Sequence, residues 1–501
     1  MDRTGTLWWP YLEWSLDNAD HSGNPFDVRA SATFTHTESG EQRKTGMFYD
    51  GGTTWRFRFT GTRTGEWTFT TSSDDPQLNG HTGTVTIEPN PDPDVYGFMT
   101  HVGNKWARFK GNDGAVETFV PHYRMTQLGI KHPAEWDRAH LDDQLRMAVD
   151  HEGFNGIFVW VAGMFVDADA RSYEGAETKD PDIVTFRALE RLLKAAHQRD
   201  ARVHFWYRGD RGQDPVSLFG EKGARTEGEQ RLLRYIGARL GPIPGWVMGY
   251  GYDLVPQMFS SGTRMEDVAD YYHTTEDLSG WGEYLREHMG WRHYLGARDQ
   301  GKNITYTLWP GADWYSRGNW EHAIEYDIVK DIVNSDARKP HAMDERWWLS
   351  RLGSEKGILQ NLWICNMAGG VSGIVGSGGD RQGAPFKNEE MFKTFFTFWK
   401  TRFLPSMTPE SENLLTSTDN RHRIYYVQGR SSVTMDLSDF EGELQAVAVD
   451  ALAPYREIRV EVRKASTTWK APHSSNWAVA VGDFADDVAA DIGDRRERGE
   501  R

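Results

Sequence analysis

Two adjacent carboxylates, Asp344 and Glu345, stand in a stretch that combines acids with aromatic side chains. Residues 339–348 read KPHAMDERWW. The pattern predicts a short strand whose end delivers the two acids among tryptophans. A carboxylate beside a flat, apolar ring surface is the arrangement that a sugar-cleaving site needs. The alternative is an ordinary solvated turn in which these acids and Arg346 form a local salt bridge. The stretch alone leaves both interpretations open.

Length and charge limit the classes of protein to which the chain can belong. With 501 residues, the chain exceeds the size that one hydrophobic core usually serves, so a large domain with smaller attachments is expected. The formal net charge of −16 argues against binding to nucleic acid or to an anionic membrane surface, since both require a basic surface. We therefore expect neither as a partner. Whether the chain forms a homo-oligomer stays open.

Cysteine content and hydropathy bear on the compartment. The single cysteine, Cys365, excludes an internal disulfide and a cysteine-built metal site. No apolar segment is long enough to span a membrane, and residues 1–6 lack the basic-then-apolar pattern of a signal peptide. We expect a soluble protein, either cytoplasmic or secreted with its leader removed, so the compartment stays unknown.

Changes in the residue pattern predict flanking domains and a tail. Residues 1–93 alternate polar and apolar residues in short runs separated by turn clusters, which predicts an N-terminal antiparallel β-sandwich. A linker with three prolines closes this module at residues 88–94, where neither helix nor sheet is favoured. Residues 411–483 show a similar strand pattern and predict a C-terminal β-sandwich. Residues 484–501 are highly charged and are expected to be disordered.

Residues 94–410 alternate buried apolar strands with amphipathic helices, which is the pattern of a parallel α/β domain. Eight such alternations make a (β/α)8 TIM barrel the most economical fold. An open, doubly wound sheet is the alternative, but neither G-x-G-x-x-G after a first strand nor G-x-x-x-x-G-K-[ST] is present. The predicted fold class is therefore α/β, a barrel flanked by two small β-sandwiches. The strands are predicted at residues 119–122, 154–160, 203–207, 245–250, 293–298, 304–309, 341–343 and 370–376.

Catalytic residues of such a barrel lie where the strands end, so the strand ends predict the site. Asp253 follows strand four and Glu345 follows strand seven. Carboxylates in these places suit a proton donor and a nucleophile that flank one glycosidic bond. Alternatively, Asp253 is a helix N-cap or turn residue, and Arg208 and Arg298 are structural partners of acids. The candidates for substrate binding are His122, Arg124, Trp160, Trp206, Arg208, Tyr252, Arg298, Trp309, Asp344 and Trp347.

Three motifs resemble one family of carbohydrate-active enzymes. They are GWVMGYGYD at residues 245–253, KPHAMDE at 339–345 and ICNMAGGVSG at 364–373. Together with the order sandwich, barrel, sandwich, they look like the apiosidase-like branch of the clan A glycoside hydrolases. The resemblance implies that Asp253 is the acid/base and Glu345 the nucleophile. It also implies that the front module is the uncharacterised β-sandwich that often precedes such barrels, and that the C-terminal module is of the type named for collagen binding.

The expected function is that of a retaining glycoside hydrolase. It would act by double displacement on a plant, algal or microbial polysaccharide or its oligosaccharides. Asp344 stays an alternative nucleophile. No cofactor is required, and residues 121–124 lack the His-x-His that a barrel metallohydrolase would carry near its first strand. The rival class is a non-catalytic carbohydrate- or matrix-binding protein that keeps the barrel without the activity.

The identity of the sugar, its linkage and endo versus exo action stay open. Arginines near the predicted mouth could mark a sulfated or uronic substrate, because a guanidinium pairs bidentately with such anions. They could equally pair with the surplus acids of the chain. These arginines are Arg124, Arg208, Arg211, Arg298, Arg317 and Arg346.

Overall fold

The computed structural model describes residues 1–129, 135–167, 179–207, 224, 226–251, 275–297, 311–316, 324–335, 338–377 and 383–484. The N-terminal module consists of two sheets, with strand orders β1-β8-β7-β3-β4 and β2-β6-β5. Alternate residues point into one aromatic core between the sheets, and Trp14, Phe34, Phe57 and Phe69 lie at its centre. The strands are β1 (Arg3–Thr6), β2 (Leu12–Asp17), β3 (Ala30–His36), β4 (Gln42–Gly46), β5 (Phe48–Tyr49), β6 (Thr54–Phe59), β7 (Gly65–Ser73) and β8 (Thr82–Glu88).

A small antiparallel sheet that the sequence interpretation missed follows the linker. It consists of β9 (Tyr96–Val102), β10 (Lys105–Lys110) and β11 (Ala115–Thr118). Trp106 of this sheet packs among residues of the neighbouring parallel sheet and donates its indole N–H to the carbonyl of His341 at 2.8 Å. The small sheet therefore closes the end of the parallel sheet opposite to the predicted site.

In the part of the chain that the structure describes, eight parallel strands form the central sheet, in the order β16-β15-β14-β13-β12-β19-β18-β17. The two edge strands of this sheet, β16 and β17, approach each other. The backbone N–H of Asp313, two residues before β17, donates to the carbonyl of Leu295 in β16 at 2.7 Å. The predicted sixth strand, residues 304–309, lies outside the described residues, so a complete barrel stays a prediction. The strands are β12 (His122–Met125), β13 (Gly156–Trp160), β14 (Arg202–Trp206), β15 (Trp246–Gly249), β16 (Tyr294–Gly296), β17 (Tyr315–Ser316), β18 (His341–Trp348) and β19 (Val371–Gly376).

Helices cover the outer face of the parallel sheet. In α2 the side chain of Asp182 caps the first turn by accepting from the backbone N–H groups of Val184 and Thr185, and the apolar face of the helix is buried. A π-helical turn, Arg146–His151, extends α1. The helices are α1 (Arg138–Leu145), α2 (Ile183–His197), α3 (Glu227–Leu240), α4 (Thr275–Met289), α5 (Tyr326–Ser335), α6 (Leu349–Leu352), α7 (Glu355–Met367) and α8 (Glu389–Trp399).

The C-terminal module is one six-stranded antiparallel sheet, with the order β20-β21-β22-β25-β23-β24, where the sequence interpretation expected a sandwich. Its two longest strands bend at register shifts, so that Tyr425 and Met435, at opposite ends of β22, share one core. On the other face, Tyr426 stacks on Trp363 of α7 with ring centroids 4.4 Å apart. The strands are β20 (Met407–Ser411), β21 (Leu414–Ser417), β22 (Arg423–Asp436), β23 (Ala446–Asp450), β24 (Ile458–Arg459) and β25 (Ser466–Val481).

Buried ion pairs dock the N-terminal module on helices α2 and α3. Arg58 of β6 pairs with Glu190 of α2 at 2.8 Å and with Glu13 of its own module at 2.7 Å. Arg239 of α3 also pairs with Glu190, and with Asp50 of the module at 3.1 Å. The side chains of Arg58, Glu190 and Arg239 are each less than one-tenth exposed. Removing one member would leave its partners charged and buried, so this network holds the two units in a fixed relation.

Candidate active site

The carboxyl ends of the parallel strands lie together at one end of the sheet, which we call its mouth, and aromatic residues lie at three of them. Trp160 ends β13, Trp206 ends β14, and these two residues are register partners. Tyr250 follows β15. Trp160 is half-buried, whereas Trp206 is 1% exposed. Of the two tryptophans, both predicted substrate contacts, Trp160 is thus the more accessible.

The inner face of the sheet holds a histidine that the sequence interpretation did not single out. His204 of β14 is surrounded by the rings of Tyr123, Phe158 and Trp314 at centroid distances of 5.0, 5.5 and 5.8 Å. Burial lowers the pKa of His204 to about 3, so the ring is neutral. Its Nε2 accepts a hydrogen bond from the indole N–H of Trp206 at 3.0 Å. His204 therefore fixes the orientation of Trp206.

Three predicted substrate contacts, His122, Arg124 and Trp347, lie on the outer face of the sheet. All three side chains are 0% exposed. The ring of His122 lies 5.7 Å from that of Phe395 in α8, its Nε2 is 3.0 Å from the side-chain oxygen of Asn366, and burial lowers its pKa to about 4. Trp347 belongs to the core beneath α7 and α8. The prediction that these residues contact substrate is corrected. Successive strand residues face opposite sides, and Tyr123 and Met125 take the inward positions of β12.

Arg124 instead holds the segment that follows the last strand of the sheet. Its guanidinium pairs with the carboxylate of Glu152 at 2.7 Å, donates to the carbonyl of Ala384 and lies 3.9 Å from the centre of the Phe386 ring. Glu152 also accepts from the backbone N–H of Phe386 at 2.7 Å. The hydroxyl of Ser377 donates to the same Ala384 carbonyl at 2.9 Å. These contacts tie both ends of the β19–α8 connection, at the mouth of the sheet, to β12.

The contacts among Arg124, Glu152, Ser377 and Ala384 form a clamp on the β19–α8 connection. This clamp predicts a modest stability effect at Ser377. Replacing Ser377 by alanine removes the hydrogen bond that its hydroxyl donates to Ala384 and the longer one, 3.4 Å, that it accepts from Arg124. The Arg124–Glu152 pair stays, so we expect a loss of about 1 kcal/mol in the free energy of unfolding. Urea denaturation followed by tryptophan fluorescence measures this loss. The matched control is Ser432→Ala on an exposed position of β22, which should change stability by less than about 0.5 kcal/mol. Equal effects of the two substitutions would contradict the clamp.

A second buried carboxylate anchors the segment after β14. Glu229 in the first turn of α3 accepts from the hydroxyl of Tyr207 at 3.0 Å and from the backbone N–H of Ala224 at 2.9 Å. Tyr207 directly follows β14, and Ala224 has a positive φ of 63°, an uncommon conformation for a residue with a side chain. Both ends of the connection from β14 to α3 are therefore held in place.

Asp344 and Glu345 occupy a bulge within β18. Met343 pairs with Gly373 of β19 and Arg346 pairs with Ile374, so the two acids have no register partners in that strand. The strand continues to Trp348, whereas the sequence interpretation placed the acids at its end. Bulges bend a strand and re-aim its side chains, and they are frequent beside active sites. The bulge thus takes residues 344 and 345 out of the regular pairing between β18 and β19.

A glycine makes room beside this bulge. A Cβ atom at Gly373 would lie 2.4 Å from the indole of Trp347, which is closer than side chains tolerate. The backbone of β19 can therefore approach the outward-facing Trp347 because residue 373 has no side chain. This packing fixes β18 immediately after the acids.

Several predicted site residues lie outside the described residues. They are Arg208, Tyr252, Asp253, Arg298 and Trp309. Their expected roles stay predictions. Within the described ranges, no group of three or more His, Cys, Asp and Glu side chains is placed to hold a metal ion. No helix there is long and apolar enough to cross a membrane.

Comparison with known proteins identifies the fold of the chain. Residues 7–74 match the family model described as Domain of unknown function (DUF5060). A candidate glycoside hydrolase from Bacteroides vulgatus superposes with a TM-score of 0.69 at 17% identity, over 96% of this chain and 100% of that one. A family 5 glycoside hydrolase from the same organism gives a TM-score of 0.53 at 13% identity, over 78% of this chain and 94% of that one.

A further structure described as a glycoside hydrolase gives a TM-score of 0.55 at 11% identity, over 78% of this chain and 98% of that one. No curated protein matches the chain significantly in sequence. The chain therefore has a fold found among glycoside hydrolases, with a parallel sheet and separate antiparallel sheets, and at these identities the likeness concerns the fold alone.

Proposed function

We propose that the chain is a retaining glycoside hydrolase that cleaves glycosidic bonds in a plant, algal or microbial polysaccharide or its oligosaccharides. The observation that carries the proposal is the bulge in β18, the seventh described strand of the parallel sheet, which takes the adjacent acidic residues Asp344 and Glu345 out of the regular backbone pairing. A carboxylate at the seventh strand suits a nucleophile, and aromatic residues such as Trp160 border the same mouth. The fold shared with glycoside hydrolases supports it.

In the proposed reaction, Glu345 attacks the anomeric carbon while Asp253 protonates the departing glycosidic oxygen. The bond to that oxygen breaks as an ester between Glu345 and the sugar forms. Asp253 then takes a proton from water, and the resulting hydroxide displaces Glu345 from the anomeric carbon. For this mechanism the two carboxyl groups should lie about 5–5.5 Å apart when substrate is bound.

Substrate contacts in this proposal come from the mouth and not from the outer face of the sheet. Trp160, which is half-buried at the end of β13, offers a ring for stacking against a sugar, and His204 orients Trp206, its register partner on β14. Arg208, Tyr252, Arg298, Trp309 and Asp344 complete the proposed contact set. His122, Arg124 and Trp347 support the strands instead. Membership of the apiosidase-like branch, and a C-terminal module of the type named for collagen binding, belong to the same proposal.

Release of new reducing ends from polysaccharides tests the proposed activity. The panel contains neutral, uronic and sulfated polysaccharides, each incubated with the wild-type chain and with Glu345→Gln as a matched blank. We expect at least one polysaccharide to yield reducing ends with the wild type and far fewer with the variant. Release from none of them would favour the non-catalytic carbohydrate-binding class.

A further inference from the structure

A cleft of about 300 Å³ runs along the seam between the N-terminal module and helices α3 and α4. We propose that this seam cleft binds an acidic sugar unit, one that carries a carboxylate or a sulfate ester. The cleft is formed by segments around Phe26 and Lys44 of the module on one side and by Arg234 and His288 on the other. It is separate from the inner face of the parallel sheet, so it is a second site on the molecule.

One wall of the seam cleft is aromatic and rigid. The ring of Phe26 lies 5.2 Å from that of Tyr49 and 5.3 Å from that of Tyr235 in α3. The hydroxyl of Tyr235 donates to the backbone carbonyl of Tyr49 at 2.7 Å, which joins the module to the helix. Phe26 is only half-buried, so part of its ring is accessible from the cleft. The apolar C–H face of a sugar ring packs well on such a surface.

Cations without acidic partners give the seam cleft its charge preference. In the part of the chain that the structure describes, Arg29, Lys44 and Arg234 form no ion pair with a carboxylate, although Arg234 does hydrogen-bond to the hydroxyl of Tyr284 at 2.9 Å. Arg231, a fourth cation in the lining, is paired with acids. Unpaired guanidinium and ammonium groups bind carboxylates and sulfates through charge-assisted hydrogen bonds.

The acids of the lining do not cancel this preference. Among the described residues that line the cleft, the acids are Asp74 and Glu287, and both are exposed. They face three cations without carboxylate partners, because the charge of Arg231 is offset by Asp27 and Asp180. The described lining therefore does not share the acidic balance of the chain, whose net charge is −16. The pKa of His288 is lowered, first by burial and also by the charges of Arg234 and Lys44, although Glu287 and a backbone hydrogen bond raise it. The positive charges of Arg234 and Lys44 therefore both act at the His288 ring.

The position of the cleft suits a polymer that also enters the mouth of the sheet. A helix that follows a parallel strand begins on the side where the strands end, so the Arg231 end of the cleft lies on the side of the candidate active site. An acidic chain bound at that end would be retained on the mouth's side of the molecule, whereas the His288 end of the cleft, in the last turn of α4, lies on the opposite side. That benefit to turnover rests on the proposed hydrolase function, whereas binding in the cleft does not.

Isothermal titration calorimetry on the full chain tests the proposal. The probes are oligogalacturonides, sulfated galactan oligosaccharides and neutral galactan oligosaccharides of equal length. We expect an acidic probe to bind more tightly than the neutral one. The paired substitution Arg29→Glu with Lys44→Glu should weaken that binding by about tenfold or more, because it opposes the anion with like charge. Binding of the uronic probe alone, or of the sulfated probe alone, would identify which of the two anionic groups the cleft recognises.

The control pair, Arg456→Glu with Lys470→Glu, makes the same change of charge at exposed positions of the C-terminal module. It should leave the affinity within about twofold of wild type. Hydrogen exchange of the complex should show protection at residues 25–31, 44–49 and 231–235. Absence of binding, equal losses in both paired variants, or protection confined to residues 341–348 would overturn the proposal. Hydrolysis without binding in the seam cleft would support the proposed function and overturn the seam-cleft proposal. Binding in the seam cleft without hydrolysis would support the seam-cleft proposal and overturn the proposed function.

Discussion

The substitution Glu345→Gln is expected to lower the turnover number by several orders of magnitude while the chain stays folded. An amide has nearly the same size as the carboxylate, but it cannot form the ester with the anomeric carbon. The measurement is kcat on whichever polysaccharide or oligosaccharide the wild-type chain degrades, together with Tm and sugar binding of the variant. A kcat within about tenfold of wild type would exclude Glu345 as the nucleophile.

The matched control is the neighbour in the same bulge. Asp344→Asn makes the same change from acid to amide one position earlier in β18 and should retain measurable turnover, because Asp344 is proposed to contact the sugar without bonding to it. If Asp344→Asn abolishes turnover while Glu345→Gln does not, the two roles are reversed. Comparison of the two variants thus decides between adjacent acids that the sequence leaves as alternatives.

A large effect on stability is expected from Glu190→Gln. The substitution leaves the guanidinium groups of Arg58 and Arg239 buried without a shared counter-charge, and breaking a buried pair costs roughly 3–5 kcal/mol. Denaturant-induced unfolding should show this loss in the free energy of unfolding, and the docked N-terminal module should be cleaved faster by protease. Glu66→Gln, on an exposed position of β7, is the control and should change stability little. Equal effects of both variants would mean that the network does not dock the module.

The difference in unfolding free energy between wild type and Glu190→Gln should depend on pH. Burial by itself raises the pKa of Glu190, but the two arginines outweigh it and lower the pKa from an ordinary 4.5 to about 2. Because the folded-state pKa is lowered, the stabilisation is fully present above pH 4.5 and is lost as the pH falls towards 2. The difference in unfolding free energy between wild type and Glu190→Gln should therefore shrink over that interval. A difference that stays constant there would contradict the charged pairing of Glu190.

Much of the central sheet was predictable because its strands are short apolar runs between helices with clear periodicity. Residues 203–207 and 245–250 were predicted as strands, and the structure places β14 and β15 within one residue of those bounds at each start. The small sheet before β12 was missed although its signals were present. Gly103 and Asn104 form the two-residue turn between β9 and β10, and such a pair between strand-like runs indicates a hairpin.

The roles of individual site residues were harder to predict because they depend on tertiary partners. Placing strand one at residues 119–122 put His122 and Arg124 at its end, but β12 begins at His122 and turns both side chains outward. The partners of Arg124 lie 28 and 260 residues away, at Glu152 and Ala384, and no local pattern connects them. His204, by contrast, could have been found, since it alternates with Trp206 in a predicted strand.

Proton NMR of the first sugar released tests the central claim most directly. A double displacement through a glycosyl ester on Glu345 inverts the anomeric carbon twice, so the first product should have the same anomeric configuration as the bond that was cleaved. The spectrum must be recorded before the free sugar mutarotates. Retained configuration is the predicted result. The opposite configuration in the first product would contradict the account, because the acid of β18 would then activate water instead of bonding to the sugar.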